Sequence, residues 1–159
     1  MRAKEGVIDR LNALLTIELT ATHQYLVQAE LCRNWGYEPL YHQLHEYSRE
    51  ELEDAERLVA HILYLEGMPN LQRLGTVQAG ESVQPQLLLA IELEQDAVRT
   101  YSEAITHCAE VGDYTTRNIL EQGVRSEEAQ IDWLETQLAA IEQVGLANYL
   151  ARQLSGGTT

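Results

Sequence analysis

Four glutamates stand where a helical protein keeps its apolar residues. Glu18 lies between Leu14/Leu15 and Ala21/Tyr25, and Glu94 between Ala90/Ile91 and Ala97/Tyr101. Glu51 falls between Tyr47 and Ala55/Leu58, and Glu127 between Val124 and Ile131/Leu134. At helical periodicity these spacings put each carboxylate on the stripe that faces a core. Asp54 and Gln130 follow Glu51 and Glu127 by three residues and share their faces. A buried, unpaired carboxylate costs on the order of several kcal/mol. Four or five together would cancel much of a domain's ~5–15 kcal/mol of stability. Lys and Arg are nearly absent from the stripes, and Arg49, Arg57 and Arg125 fall on other faces. The acids must therefore be protonated, held by hydrogen bonds from Tyr25 and Tyr101, or neutralised by cations. Four acids in register without a basic partner favour a metal over a hydrated acid layer. Their oxygen donors suit iron, manganese, magnesium or calcium more than copper or zinc.

The acids are placed by a repeat. Glu18 and Glu51 are 33 residues apart, as are Glu94 and Glu127, and the second pair follows the first by 76. The same offset relates Asp54 to Gln130, Ala21 to Ala97, Tyr25 to Tyr101, Cys32 to Cys108, Gly36 to Gly112 and Leu58 to Leu134. This is the signature of a duplicated helical hairpin.

The elements that must position these residues are all helical, since Val, Ile and Thr alternate nowhere. A first helix is predicted over roughly 4–35 along Val7, Leu11, Leu14, Leu15, Ala21, Tyr25, Ala29 and Cys32, ending at Gly36. A second runs from Pro39 to about 65, stopped by Gly67 and Pro69. Residues 66–81 have no period. A helix of ~28 residues is about 42 Å long, and ~16 extended residues reach about 50 Å. That stretch can therefore cross the whole bundle and make the second and third helices parallel. Ser82 is the expected N-cap of the third helix and Asp113 of the fourth, which closes near Gly145. Leu146 to Leu154 form a short amphipathic segment that must dock on the bundle or on a neighbour, and 155–159 read as a frayed tail. The expected fold class is all-α, a four-helix bundle with a long crossover and a short fifth helix, one domain over 1–159.

A net charge of −14 in 159 residues argues against nucleic acid and anionic membrane surfaces, both of which need a basic footprint. No apolar run approaches the ~18 residues of a membrane span, and the start of the chain leads into an amphipathic pattern rather than a signal-peptide core. A cytoplasmic location is expected. Cys32 and Cys108 are read as buried free thiols. His23, His42, His45, His61 and His107 fall mostly off the central stripe and are read as surface or interface residues. Glu46, Glu50 and Glu53 read as a solvated charge run, and Trp35 and Trp133 as packing residues.

Over essentially its whole length the chain resembles bacterioferritin, a ferritin-like protein. Besides the four glutamates, the resemblance rests on Leu14-Leu15, Glu18-Leu19, Gln24-Tyr25, Asn34-Trp35-Gly36 and Leu65-Glu66-Gly67. Pro69-Asn70-Leu71-Gln72, Ile131-Asp132-Trp133-Leu134-Glu135 and Asn148-Tyr149-Leu150 complete it. The resemblance implies a 24-subunit iron-storage shell, homomeric or mixed with a second bacterioferritin subunit. It also implies a di-iron ferroxidase centre with Glu18 and Glu94 as terminal ligands and Glu51 and Glu127 as bridges. Two departures stand out. The family's Glu-x-x-His is Glu51-Leu52-Glu53-Asp54 in one hairpin and Glu127-Glu128-Ala129-Gln130 in the other. Asp54 remains an oxygen donor, whereas Gln130 is neutral and weak. Leu52 stands where the family places a haem-ligating Met, so self-paired subunits are not expected to bind haem in the family manner.

Overall fold

The computed structural model describes residues 1–154, and the expected tail at 155–159 lies outside them. Five helices follow in order: α1 (Val7–Asn34), α2 (Glu38–Tyr64), α3 (Val83–Glu110), α4 (Tyr114–Val144) and α5 (Leu146–Gln153). There are no strands among the described residues. α1 begins three residues later than the periodicity predicts. Gly6 takes a left-handed φ of 74°, and a Cβ there would lie 2.7 Å from Nε2 of His107, so the chain turns into the helix at this point.

The duplication reaches the backbone of the turns. Tyr37 N–H donates to the Cys32 carbonyl at 2.9 Å, with Gly36 at φ 90°. The counterpart is Asp113 N–H to the Cys108 carbonyl at 2.7 Å, with Gly112 at φ 73°. Both hairpins thus close their first helix with the same left-handed glycine cap. Asp113 caps α4 as expected, accepting from Thr116 N–H at 3.0 Å. Ser82 occupies the N-cap position of α3, but its side chain makes no capping hydrogen bond.

The helix directions follow from the pairs that touch. Gln28, late in α1, donates to the Gln86 carbonyl in the first turn of α3, and Tyr25 reaches Glu94, so α1 and α3 are antiparallel. α1 and α2 form a tight hairpin, which makes α2 and α3 parallel, as the long crossover requires. That crossover is fastened along α1. Asn12 contacts Met68 and Asn70, Thr20 accepts from Gly75 N–H, Gln24 from Gln78 N–H, and Gln28 donates to the Ala79 carbonyl. Its backbone groups are met by polar side chains instead of a ladder.

Two apolar clusters fill the bundle. One joins Tyr25, Leu40, Leu44, Tyr47, Leu87 and Leu134, and the other joins Leu11, Leu14, Leu58, Ile62, Tyr101 and Leu120. Glu18, Glu51, Glu94 and Glu127 are buried in the same interior. α5 docks on its own bundle: Tyr149 is buried and its hydroxyl donates to Gln137 Oε1 at 2.8 Å. Cys32 and Cys108 are free and buried. His61 departs from its expected surface position. It is buried, with Nε2 2.7 Å from the Thr116 hydroxyl, which itself donates to Asp113. This chain of bonds ties the end of α2 to the start of α4.

Candidate metal centre

Each helix of the bundle contributes one glutamate, and Glu18, Glu51, Glu94 and Glu127 are all 0% exposed. Asp54 and Gln130 are buried beside them. One oxygen each from Glu18, Glu51, Asp54 and Glu127 fall within 4.8 Å of one another, a spacing that a single cation can span. Glu94 stands outside that tight group, and its Oε1 accepts a 2.6 Å hydrogen bond from the Tyr25 hydroxyl. Tyr25 is fixed in turn by its ring, 5.5 Å from that of Tyr47, whose other neighbour is the Trp133 ring at 5.6 Å.

Most of the carboxylate oxygens lack protein partners. Both oxygens of Glu18, Glu51 and Glu127, Oδ2 of Asp54 and Oε2 of Glu94 are buried with no hydrogen bond. Buried polar atoms are nearly always satisfied, so a cluster of orphaned acceptors marks a place built for something else. Electrostatics agree. Burial raises the Glu51 carboxyl well above the ordinary range, with further upward pushes from Glu18 and Glu94. Burial does the same for Glu127, reinforced by Glu18, Glu94 and Glu51, and holds Glu94 at about 7. Like charges in one dry cavity resist ionisation unless a cation joins them.

The positions three residues after Glu51 and Glu127 differ. Arg57 was placed on another face by its spacing, yet its guanidinium reaches back one turn to bond Oδ1 of Asp54. Its long stem lets the charged end return to the core's edge. Gln130 donates from Nε2 to Glu50 Oε2 at 3.3 Å, which leaves its carbonyl oxygen buried and unpartnered. Glu50 is thus half-buried against the centre, whereas Glu46 and Glu53 are solvated as expected. Because Arg57 competes with any cation for Asp54, Arg57→Gln is expected to tighten Co²⁺ binding a few-fold. Exposed ion-pair partners are worth about 1 kcal/mol at most. Isothermal titration checks it, and weaker binding in the variant would reverse the assignment.

A bundle of this topology with one buried acid per helix is the architecture of a ferritin-like domain, and residues 8–144 match that family. The chain is 41% identical over 145 residues to the bacterioferritin of Rhodobacter capsulatus, covering 91% of this chain and 90% of that protein. It is 36% identical to the bacterioferritin of Brucella melitensis over 94% of this chain and 92% of that one. Identity to bacterioferritin BfrA of Mycobacterium tuberculosis is 35%, across 98% of both. The chain belongs to the bacterioferritin family.

Proposed function

We propose that this chain is a subunit of an iron-storage shell of 24 subunits, binding Fe²⁺ at a paired-metal centre and storing ferric mineral inside. The observation that carries this reading is the set of buried carboxylate oxygens without partners on Glu18, Glu51, Asp54, Glu94 and Glu127. Charge balance supports two cations. Asp54 and Arg57 neutralise each other, which leaves four glutamates with a total charge of −4 when ionised, matched by two divalent ions. Glu18 and Glu94 would serve as terminal ligands and Glu51 and Glu127 as bridges, with Asp54 assisting and Gln130 contributing little. Bound Fe²⁺ would supply the redox chemistry, with oxygen or hydrogen peroxide as the oxidant. The residues select the ion by hard oxygen donors, hold it away from bulk water and accept the charge that develops.

Replacement of both family histidines by Asp54 and Gln130 predicts slower oxidation than an imidazole-bearing centre supports. An anaerobic Fe²⁺ titration of the assembled protein is expected to reach about two tight sites per chain, followed by oxidation on mixing with oxygen. A titration without tight sites would defeat the reading.

Self-association uses the outer face of α1 and α2. A groove of ≈ 340 Å³ there is lined by Leu19, Leu52, Ala55, Val59, Leu63 and Leu71. Leu52, 44% exposed, offers that groove no lone pair for haem iron. The same substitutions favour a second reading, a non-catalytic, non-haem companion subunit in a mixed shell. Intact mass spectrometry of shells from the source organism separates the two: a pure homopolymer excludes the companion. No helix among the described residues is long and apolar enough to cross a membrane, and a cytoplasmic store is part of the same proposal.

A further inference from the structure

The symmetry of the centre leaves one hydroxyl unassigned. Tyr25 on α1 lies seven residues after Glu18 and bonds Glu94 across the bundle. Its counterpart on α3 is Tyr101, seven residues after Glu94, and the repeat points it at Glu18. Tyr101 is 2% exposed and lines a cavity of ≈ 250 Å³ with Asp54, Arg57, Leu58, Leu120 and Gly123.

Gly123 explains how the ring fits. It sits inside α4, where glycine is a destabilising choice. A Cβ at Gly123 would lie 2.7 Å from Cε1 of Tyr101 and 2.9 Å from its hydroxyl oxygen. The helix therefore gives up a side chain at the one point where the Tyr101 phenol passes. A residue needed only for bulk would not require that concession, since a shorter apolar side chain on α3 and an ordinary residue at 123 would fill the same space.

Burial raises the Tyr101 phenol well above its ordinary value, and Glu18 is the largest charge acting in the same direction, followed by Glu127. A phenol of ordinary pKa is already protonated at neutral pH, so the Tyr101 hydroxyl is a donor. The Tyr101 phenol is close enough to Glu18 to interact with it through its O–H. The contact falls short of ordinary hydrogen-bond geometry and both Glu18 oxygens stay unsatisfied, unlike the closed 2.6 Å pair of Tyr25 and Glu94. A carboxylate that binds a cation through one oxygen has a second oxygen free to accept, and a donor there fixes the ligand's orientation.

Resting on the metal-centre reading above, we propose that Tyr101 is a second positioning residue, whose O–H holds the spare oxygen of cation-bound Glu18 as Tyr25 holds Glu94, with Gly123 admitting its ring. The two terminal ligands are then oriented alike, each by a tyrosine from the opposite hairpin. The departures at Asp54 and Gln130 leave this part of the duplication intact.

Co²⁺ titration of the intact protein, followed by its visible absorption bands, tests the assignment. Wild type is expected to bind two ions per chain. Tyr101→Phe removes only the hydroxyl and should weaken one of the two sites about ten-fold or more, with a changed spectrum at that site. Tyr25→Phe should weaken the other. Gly123→Ala, which displaces the ring without touching its chemistry, should reproduce the Tyr101→Phe spectrum. Two-site binding with unchanged affinity and spectrum in Tyr101→Phe overturns the role of Tyr101 and leaves the centre standing. Equal weakening of both sites together with a lowered melting temperature assigns Tyr101 to packing and also overturns it. Absence of tight Co²⁺ binding in wild type overturns the centre and this inference together.

Discussion

Replacing Glu51 and Glu127 together by glutamine will abolish tight Fe²⁺ binding and raise the melting temperature of the metal-free protein. The two effects have one cause. Both side chains are completely buried, neither has a hydrogen-bond partner, and burial and neighbouring acids push both carboxyls upward. Without a cation they cost the folded state on the order of several kcal/mol. Glutamine keeps the shape and removes the charge. For a chain of this length a gain of one kcal/mol moves the melting temperature by roughly 2–4 °C, so a rise of several degrees is expected in chelator. The same change halves the charge available to two divalent ions. Binding should weaken by more than ~100-fold, the upper range for loss of outer-shell partners alone. Anaerobic titration and thermal unfolding in chelator read the two effects. Wild-type Fe²⁺ affinity in the double variant, or a lower melting temperature without metal, would show that these acids do not form the centre.

Acid should stabilise the metal-free protein between about pH 7 and 4.5. Glu94 has a folded value of about 7 against an ordinary 4.5, so the folded state keeps its proton where the unfolded chain has lost it. Above about pH 7 both states are ionised and the folded one bears the full burden of buried charge; below 4.5 both are protonated and that burden is gone. At ~1.4 kcal/mol per unit, Glu94 alone contributes on the order of 3 kcal/mol across this window. Glu51 and Glu127, also raised, extend it upward. A bound divalent cation reverses the logic, since it needs ionised ligands and its affinity grows with pH. Melting temperatures at pH 5.5 and 7.5, with chelator and with saturating Co²⁺, should slope in opposite directions. If the chelated protein becomes more stable as pH rises, the carboxylates are not held as a mutually repelling cluster.

Sequence made the acid layer legible because two independent patterns coincided on it, the 3.6-residue stripe and the 76-residue offset. The turns were legible for the same reason, with Gly36 and Gly112 as paired signals. What stayed hidden depends on reach across helices. Arg57 stands three residues from Asp54, a spacing that permits contact, but its place on the helix suggested a face other than the acid stripe. The Gln130–Glu50 bond spans 80 residues and has no local signature. His61 looked like a surface residue until Thr116 and Asp113 arrived from α4 to satisfy it. Gly123 reads in isolation as a weak helix residue, and only the ring of Tyr101 gives it a reason.

The crossover has a consequence for which parts of the subunit can yield. Thr20, Gln24 and Gln28 are buried because the strap lies over the side of α1 that the core leaves uncovered. α1 is therefore covered by strap and core on two sides, with 13 of its 28 residues buried, and shifting it would dismantle both at once. α4 is in the opposite situation: of its 31 residues only Thr116, Leu120, Glu127, Gln130, Leu134 and Ile141 are buried. It carries a glycine, Gly123, a third of the way along and is held at its start by Asp113 and Thr116. Of the two helices, α4, which brings Glu127 and Gln130, is therefore the less enclosed and α1 the more firmly held.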